Sequence, residues 1–252
     1  MLFDRIAASY ARKDSMASLS FVRGSQLRSA VKPLLDERAD LGTIVDIGCG
    51  IGAPARYLDG HYQRYIGIDH SEEMIKQAVM FNRDNPRAEF MAKNIKSTGL
   101  PRNVADVVLS IGALHHMAEL EEVMGSLVSL AKPGASLVAI EPQNKNPLLQ
   151  LIRWIGGLVV QSYSKEQIFF SEEDLKDLFT ASGCTDISVE FQGYLSTPFA
   201  QIVMHPQAVI LPLSRMAVAA DGWLDENLPG PLKKLSFNIV VRGRFPEKRN
   251  LT

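Results

Sequence analysis

Ten residues constrain this chain more than any others. Thr43-Ile44-Val45-Asp46-Ile47-Gly48-Cys49-Gly50-Ile51-Gly52 is a short apolar run that passes straight into three glycines at alternate positions. A brief apolar run bounded by a glycine turn reads as a buried strand. Without Cβ atoms the backbone can turn sharply and come close to a ligand, and the helix expected next, from Ala53 to about Leu58, points its free N–H groups at the same place. The stretch predicts a strand, a tight turn and a helix, which together open an α/β unit and form a cradle at the strand's carboxyl end.

Spacing narrows what that cradle holds. A dinucleotide turn reads G-x-G-x-x-G, whereas this one reads G-x-G-x-G with Asp46 inside the strand before it. The difference favours S-adenosylmethionine (SAM) over NAD. A nicotinamide-dependent reductase would also want a Tyr-x-x-x-Lys pair, and Tyr163-Ser164-Lys165 does not have that spacing. A second short strand, Tyr65-Ile66-Gly67-Ile68-Asp69, ends in an acid about 20 residues after the first glycine, the offset of a carboxylate that accepts hydrogen bonds from a ribose diol. Asp69 has a second reading, as part of the start of the helix at Ser71-Glu72-Glu73, although Ser71 can cap that helix by itself.

Further along, Ala113-Leu114-His115-His116 follows a fourth apolar strand and Leu130-Ala131-Lys132-Pro133-Gly134 precedes a fifth. With these, the opening Phe3-Asp4-Arg5-Ile6-Ala7-Ala8-Ser9-Tyr10, the glycine turn and Asp69, the chain resembles the seven-stranded class I SAM-dependent methyltransferases from Phe3 to about Phe191. Within them it looks like the ubiquinone/menaquinone-type small-molecule group (methyltransferase type 11). The resemblance implies an α/β fold: a doubly wound, mostly parallel sheet in the order 3-2-1-4-5-7-6 with the last strand antiparallel. It also implies a cofactor site built from Asp46, Gly48, Cys49, Gly50, Gly52, Asp69, His70, Met74, Asn94, Ile95, Ser110 and Ile111. The family usually has Asp where this chain has Asn94, and the amide oxygen can accept the same bond from the adenine amino group. The N-terminal segment of such enzymes folds over the cofactor, with a Tyr placed like Tyr10 near the reaction centre.

The rest of the chain fits one domain over residues 1–252, a length that buries a full core. Residues 1–40 form a helical cap, including an amphipathic run from Leu27 to Leu35. Residues 41–192 and 235–245 form the core, and 143–170 and 193–234 cover the substrate. Helices are expected over Ser71–Asn82, Glu119–Ala131 and from a Ser171 cap to Ala181. Strands are expected at Ala88–Met91, Ala105–Ile111, Ser136–Glu141, Ser188–Gln192 and Leu235–Arg242.

Twenty-seven basic against twenty-eight acidic residues steer nothing toward nucleic acid. Cys49 and Cys184 have no metal-type spacing, so no metal is expected, and they suit a reducing cytoplasm. A signal peptide is not expected, because the first residues lack a basic segment followed by an apolar core. The apolar stretch 148–160, with Arg153 inside, is too short to span a membrane, which takes about 20 residues. That stretch and the proline-broken 193–234 either shape an apolar pocket or meet a membrane surface or a second subunit.

Ligands in open α/β sheets sit beyond the carboxyl ends of strands near the switch in strand order, between strands one and four here. His115 and His116 stand at that edge and are the candidate general bases for a hydroxyl acceptor, each with the alternative of merely bonding backbone. Glu141 and Asn144 at the end of strand five, with Tyr10, Trp154 and Tyr163, are candidate acceptor contacts. Glu141 has the alternatives of pairing with Arg153 or capping a local turn. The sequence therefore points to methyl transfer onto a small, largely apolar molecule, at O, N or C. The competing reading is a SAM-binding regulatory subunit that performs no turnover.

Overall fold

A computed structural model describes residues 2–143, 146 and 170–247. The chain opens with α1 (Leu2–Asp14) and α2 (Ala17–Glu37). Alternating strands and helices follow: β1 (Thr43–Ile47), α3 (Ala53–Tyr57), β2 (Arg64–Asp69), α4 (Glu72–Phe81), β3 (Ala88–Ala92), β4 (Ala105–Ile111), α5 (Leu120–Leu130) and β5 (Ala131–Pro142). After the undescribed residues come α6 (Glu172–Ala181), β6 (Thr185–Gln192), three helices α7 (Thr197–Gln201), α8 (Gln207–Asn227) and α9 (Gly230–Lys233), and β7 (Asn238–Arg244).

The seven strands form one sheet in the order β3-β2-β1-β4-β5-β7-β6, parallel except that β7 runs antiparallel to both its neighbours. This is the expected topology. Within it side chains alternate between the two faces of strands buried on both sides. Val45, Ile47, Ile66, Ile68, Val108, Leu137, Ala139 and Val241 point to one side, where Val123 and Leu127 of α5 and Leu175 and Phe179 of α6 pack on them. Ile44, Tyr65, Val107, Leu109, Val138 and Val240 point to the other, against Leu27, Val31 and Leu34 of α2 and Ala55 of α3.

Several boundaries differ from the sequence reading, for identifiable reasons. β5 starts at Ala131 rather than Ser136: Ala131 pairs with Ala105 and Ser136 with Val107, so Lys132-Pro133-Gly134-Ala135 bulges out and the strand absorbs the Pro-Gly. β6 begins at Thr185, across a similar irregularity, and β7 runs three residues later at its start than expected. The amphipathic run 27–35 belongs to a single helix of 21 residues that tolerates Pro33 inside it. The insert 193–234, read as apolar clusters broken by prolines, is mostly helix. Pro198 falls at the start of α7, Pro206 caps α8 and Pro229 caps α9, positions where a missing N–H leaves no helical bond unmade.

The insert is tied to α2 by polar contacts. Gln207 accepts from the Ser18 N–H at 3.0 Å, Arg23 Nε donates to the Ala200 carbonyl at 2.9 Å, and Gln26 reaches Ser196 Oγ at 3.2 Å. Buried Asp221 of α8 accepts from the N–H groups of Leu195 and Ser196 at 2.7 and 3.1 Å. Val209, Leu213, Met216 and Trp223 of α8 remain exposed. Among the described residues no helix is long and apolar enough to cross a membrane.

Candidate active site

The cradle forms where β1 ends. The N–H groups of Gly48 and Cys49 both donate to the Ile68 carbonyl of β2, at 2.8 and 3.0 Å, and Gly52 N–H closes onto Cys49 O at 2.9 Å. Gly50 and Gly52 hold left-handed backbone, with φ of 53° and 68°. Their surroundings differ. A Cβ on Gly52 would stand 2.5 Å from Phe90 Cε1, so the turn rests on that ring, whereas a Cβ on Gly50 would meet nothing within 4 Å. The turn is packed below and open above.

Asp69 faces the same opening. Its Oδ2 accepts from the Gly50 N–H and its Oδ1 from the Ser71 N–H, each at 2.9 Å, and the side chain is 11% exposed; each oxygen keeps a second lone pair. Ser71 caps α4 through Met74, so Asp69 is not needed as its cap. His70 Nδ1 lies 3.7 Å from Asp69 Oδ1. Met74 is buried with Ile51, Ala53 and Ala7, which pins α1 beside the turn. Cys49 is buried, and burial pushes its thiol well above the ordinary range; it packs rather than reacts.

Asp46 lies beneath the cradle. The Tyr65 hydroxyl donates to its Oδ2, its Oδ1 is buried without a partner, and burial pushes the carboxyl up to about 7 against the lowering effect of that hydrogen bond. Tyr65 is a contributor the sequence reading missed. The available signal was a hydroxyl-bearing residue in a buried strand paired with the one that carries an acid. An adenosyl group fits the residues present: open space over Gly50, spare acceptor capacity on Asp69 for a diol, and partly buried Gly48, Asp69, Ile111 and Gly112 around it, while the strands behind are buried.

At the tip of β4, Gly112 leads into a single 3₁₀ turn, Leu114–His116. Glu141 of β5 is fully buried under this turn. Its Oε1 accepts from the N–H groups of Ala113 and Leu114 at 3.1 and 2.9 Å, and its Oε2 lies 2.6 Å from His115 Nδ1. Glu141 is thus buried beneath the turn rather than at a pocket mouth, and it caps that turn; Arg153, the other partner considered for it, lies outside the described residues. His115 is mostly buried, with its ring 3.9 Å from that of His116. His116 lies on the outer side, and partial burial together with His115 lowers its pKa to about 4.

The other candidates are spread around this edge. Ser110 is buried with its hydroxyl unpartnered. Asn94 starts a 3₁₀ turn, accepting from Lys96 N–H at 2.9 Å, so one lone pair of its amide oxygen is already engaged, and Ile95 packs on the core. Tyr10 stands exposed on α1 with Lys13 Nζ 5.8 Å over its ring. Asn144, Trp154, Tyr163 and the stretch 148–160 lie outside the described residues. No cluster of metal-ligating side chains occurs among the described residues. Two cavities lie away from the strand tips: about 560 Å³ between α1 and α4, lined by Ala11, Gln77 and Phe81, and about 580 Å³ along β6, lined by Gln192, Asp225 and Lys233.

Comparison with known proteins agrees with this geometry. A methyltransferase domain family model matches residues 19–189. An uncharacterised methyltransferase of Mycobacterium bovis is 28% identical over 128 residues, 49% of this chain; the chain spans 64% of that relative's length. The 2-methyl-6-phytyl-1,4-hydroquinone methyltransferase of Synechocystis is 31% identical over 100 residues, 39% of this chain and 31% of that protein. The solved structure of a SAM-dependent methyltransferase from Thermotoga maritima superposes with a TM-score of 0.65 over 96% of this chain and 97% of that one, at 19% identity, so the shared feature is the fold. The chain belongs to the methyltransferase domain family, with the class I fold of its SAM-dependent members.

Proposed function

We propose that this chain transfers the methyl group of SAM to a small, largely apolar acceptor. The observation that carries the reading is the pairing of Asp69 with open space over Gly50, which leaves room and hydrogen-bond capacity for a nucleoside at the tips of β1 and β2. When bound, the cofactor supplies a methyl group already activated on a positively charged sulfur. The protein's task is then alignment, with the acceptor atom held opposite the sulfur at about 3 to 3.5 Å.

The chain's own residues divide that task. Asp69 accepts from the ribose diol, and the main chain of 48–52 lines the opposite wall. His115 and His116, at the tip of the neighbouring strand β4, bound the space in which an acceptor sits. The likeness to a prenylated hydroquinone methyltransferase and the apolar composition of 148–160 and 193–234 support an apolar acceptor. Exposed Val209, Leu213, Met216 and Trp223 give the second segment an apolar face for a membrane surface or a second copy of the chain.

The test is transfer of a labelled methyl group from SAM to a panel of hydroquinones, sterols and small amines. Labelled product from an apolar member supports the reading. Tight SAM binding with no product from any member favours a binding subunit instead.

A further inference from the structure

We propose that Glu141 is a positioning residue that fixes the tautomer of His115, leaving Nε2 bare to take the proton of a hydroxyl acceptor. The inference rests on the methyltransferase reading above and deepens it by naming the acceptor's chemistry.

The geometry is specific. Glu141 has no exposed surface, and its carboxylate meets three groups of one turn: the N–H of Ala113 and of Leu114 at one oxygen, and Nδ1 of His115 at the other. A carboxylate so placed accepts from all three, so the imidazole hydrogen sits on Nδ1. A neutral imidazole carries one N–H, and Nε2 is then the bare nitrogen. Among the described residues Nε2 makes no hydrogen bond. The ring stands beside Gly112, where a Cβ would lie 3.9 Å from His115 Cε1, at the end of the strand that flanks the cradle. One buried acid therefore sets the position of the turn, the orientation of the ring and the nitrogen that can act as a base.

The chemistry follows. As the acceptor's oxygen forms the new O–C bond, its proton passes to Nε2, and the C–S bond that breaks leaves its electron pair on sulfur. The imidazolium that results lies against the Glu141 carboxylate, which stabilises it. His116, with its pKa lowered to about 4, stays neutral near pH 7 and puts no positive charge against that ring. A neutral amine attacks without losing a proton first, so a base locked in this tautomer matches a hydroxyl.

The experiment is ¹⁵N NMR of histidine-labelled protein saturated with S-adenosylhomocysteine, with His115 assigned by its loss in H115Q. The expected wild-type spectrum has protonated Nδ1 and bare Nε2. In E141Q the amide oxygen keeps the Ala113 and Leu114 bonds while the NH₂ now donates to Nδ1, so the proton moves to Nε2 and the two nitrogen signals exchange character. Wild-type protein with Nε2 protonated, or a folded E141Q with the tautomer unchanged, overturns the proposal. If E141Q does not fold, the wild-type spectrum decides alone. Calorimetry with S-adenosylhomocysteine on the wild-type sample separates the two readings: no binding sinks the methyltransferase reading, whereas binding with the wrong tautomer sinks only the role of Glu141.

Discussion

The carboxylate of Asp69 accepts a hydrogen bond from the Gly50 amide at 2.9 Å, clasping the tip of β2 to the glycine turn that follows β1. The same side chain holds the Ser71 N–H with its other oxygen. The clasp organises both walls of the cradle before a ligand arrives. Replacing Asp69 by Ala should weaken S-adenosylhomocysteine binding by roughly 1.5–3 kcal/mol, because a diol loses a charged acceptor. Calorimetry measures it, and unchanged affinity would reduce Asp69 to a clasp alone.

Two glycines of the turn should respond differently to the same substitution. Gly50→Ala meets no neighbour but must hold a φ of 53°, at a cost of about 1–2 kcal/mol, and its methyl group enters the space a nucleoside needs. Gly52→Ala forces a Cβ against Phe90 at 2.5 Å, so overpacking of about 1–3 kcal/mol adds to the same backbone cost. Thermal melts should show the larger loss for Gly52→Ala. In calorimetry, Gly50→Ala should weaken S-adenosylhomocysteine at least tenfold while the protein stays folded.

Much of this was legible because the signals are local. A strand, a glycine turn and an acid at a fixed offset lie within 27 residues, counting from Thr43 to Asp69, and each has its own physical reason. The relationship between Glu141 and His115 was not legible, although both were singled out. His115 lies in the turn after β4 and Glu141 in β5, and only the parallel register that sets Ile111 opposite Ile140 brings that turn over the end of β5. The insert failed for another reason: its prolines read as breaks, whereas Pro198, Pro206, Pro229 and Pro231 stand at helix starts, and Pro212 sits inside α8. Tyr65 was read only as part of the strand that ends in Asp69, and its hydroxyl proved to be the partner of Asp46.

Asp46 and Tyr65 give a pH signature. The folded-state carboxyl titrates at about 7, above its ordinary 3.8, so between those values the native protein binds more protons than the unfolded chain. The stabilising contribution is complete below about 4 and is lost as pH rises through 7. Asp46→Asn cannot titrate, so relative to the wild type its stability should improve as pH is raised from 5 to 8. Tyr65→Phe removes the hydroxyl donor from a buried carboxylate and should cost about 1–3 kcal/mol at pH 8. Urea unfolding across that range checks both; a constant difference between wild type and Asp46→Asn would contradict the assignment.

Methyl transfer by this chain requires a nucleoside seated across the tips of β1 and β2. Isothermal titration of the purified chain with SAM, with S-adenosylhomocysteine and with NAD measures this most directly. Saturable one-to-one binding of the first two, and no heat from the third, is the predicted result. Binding of NAD in preference to both sulfur nucleosides, or of none of the three, would contradict it.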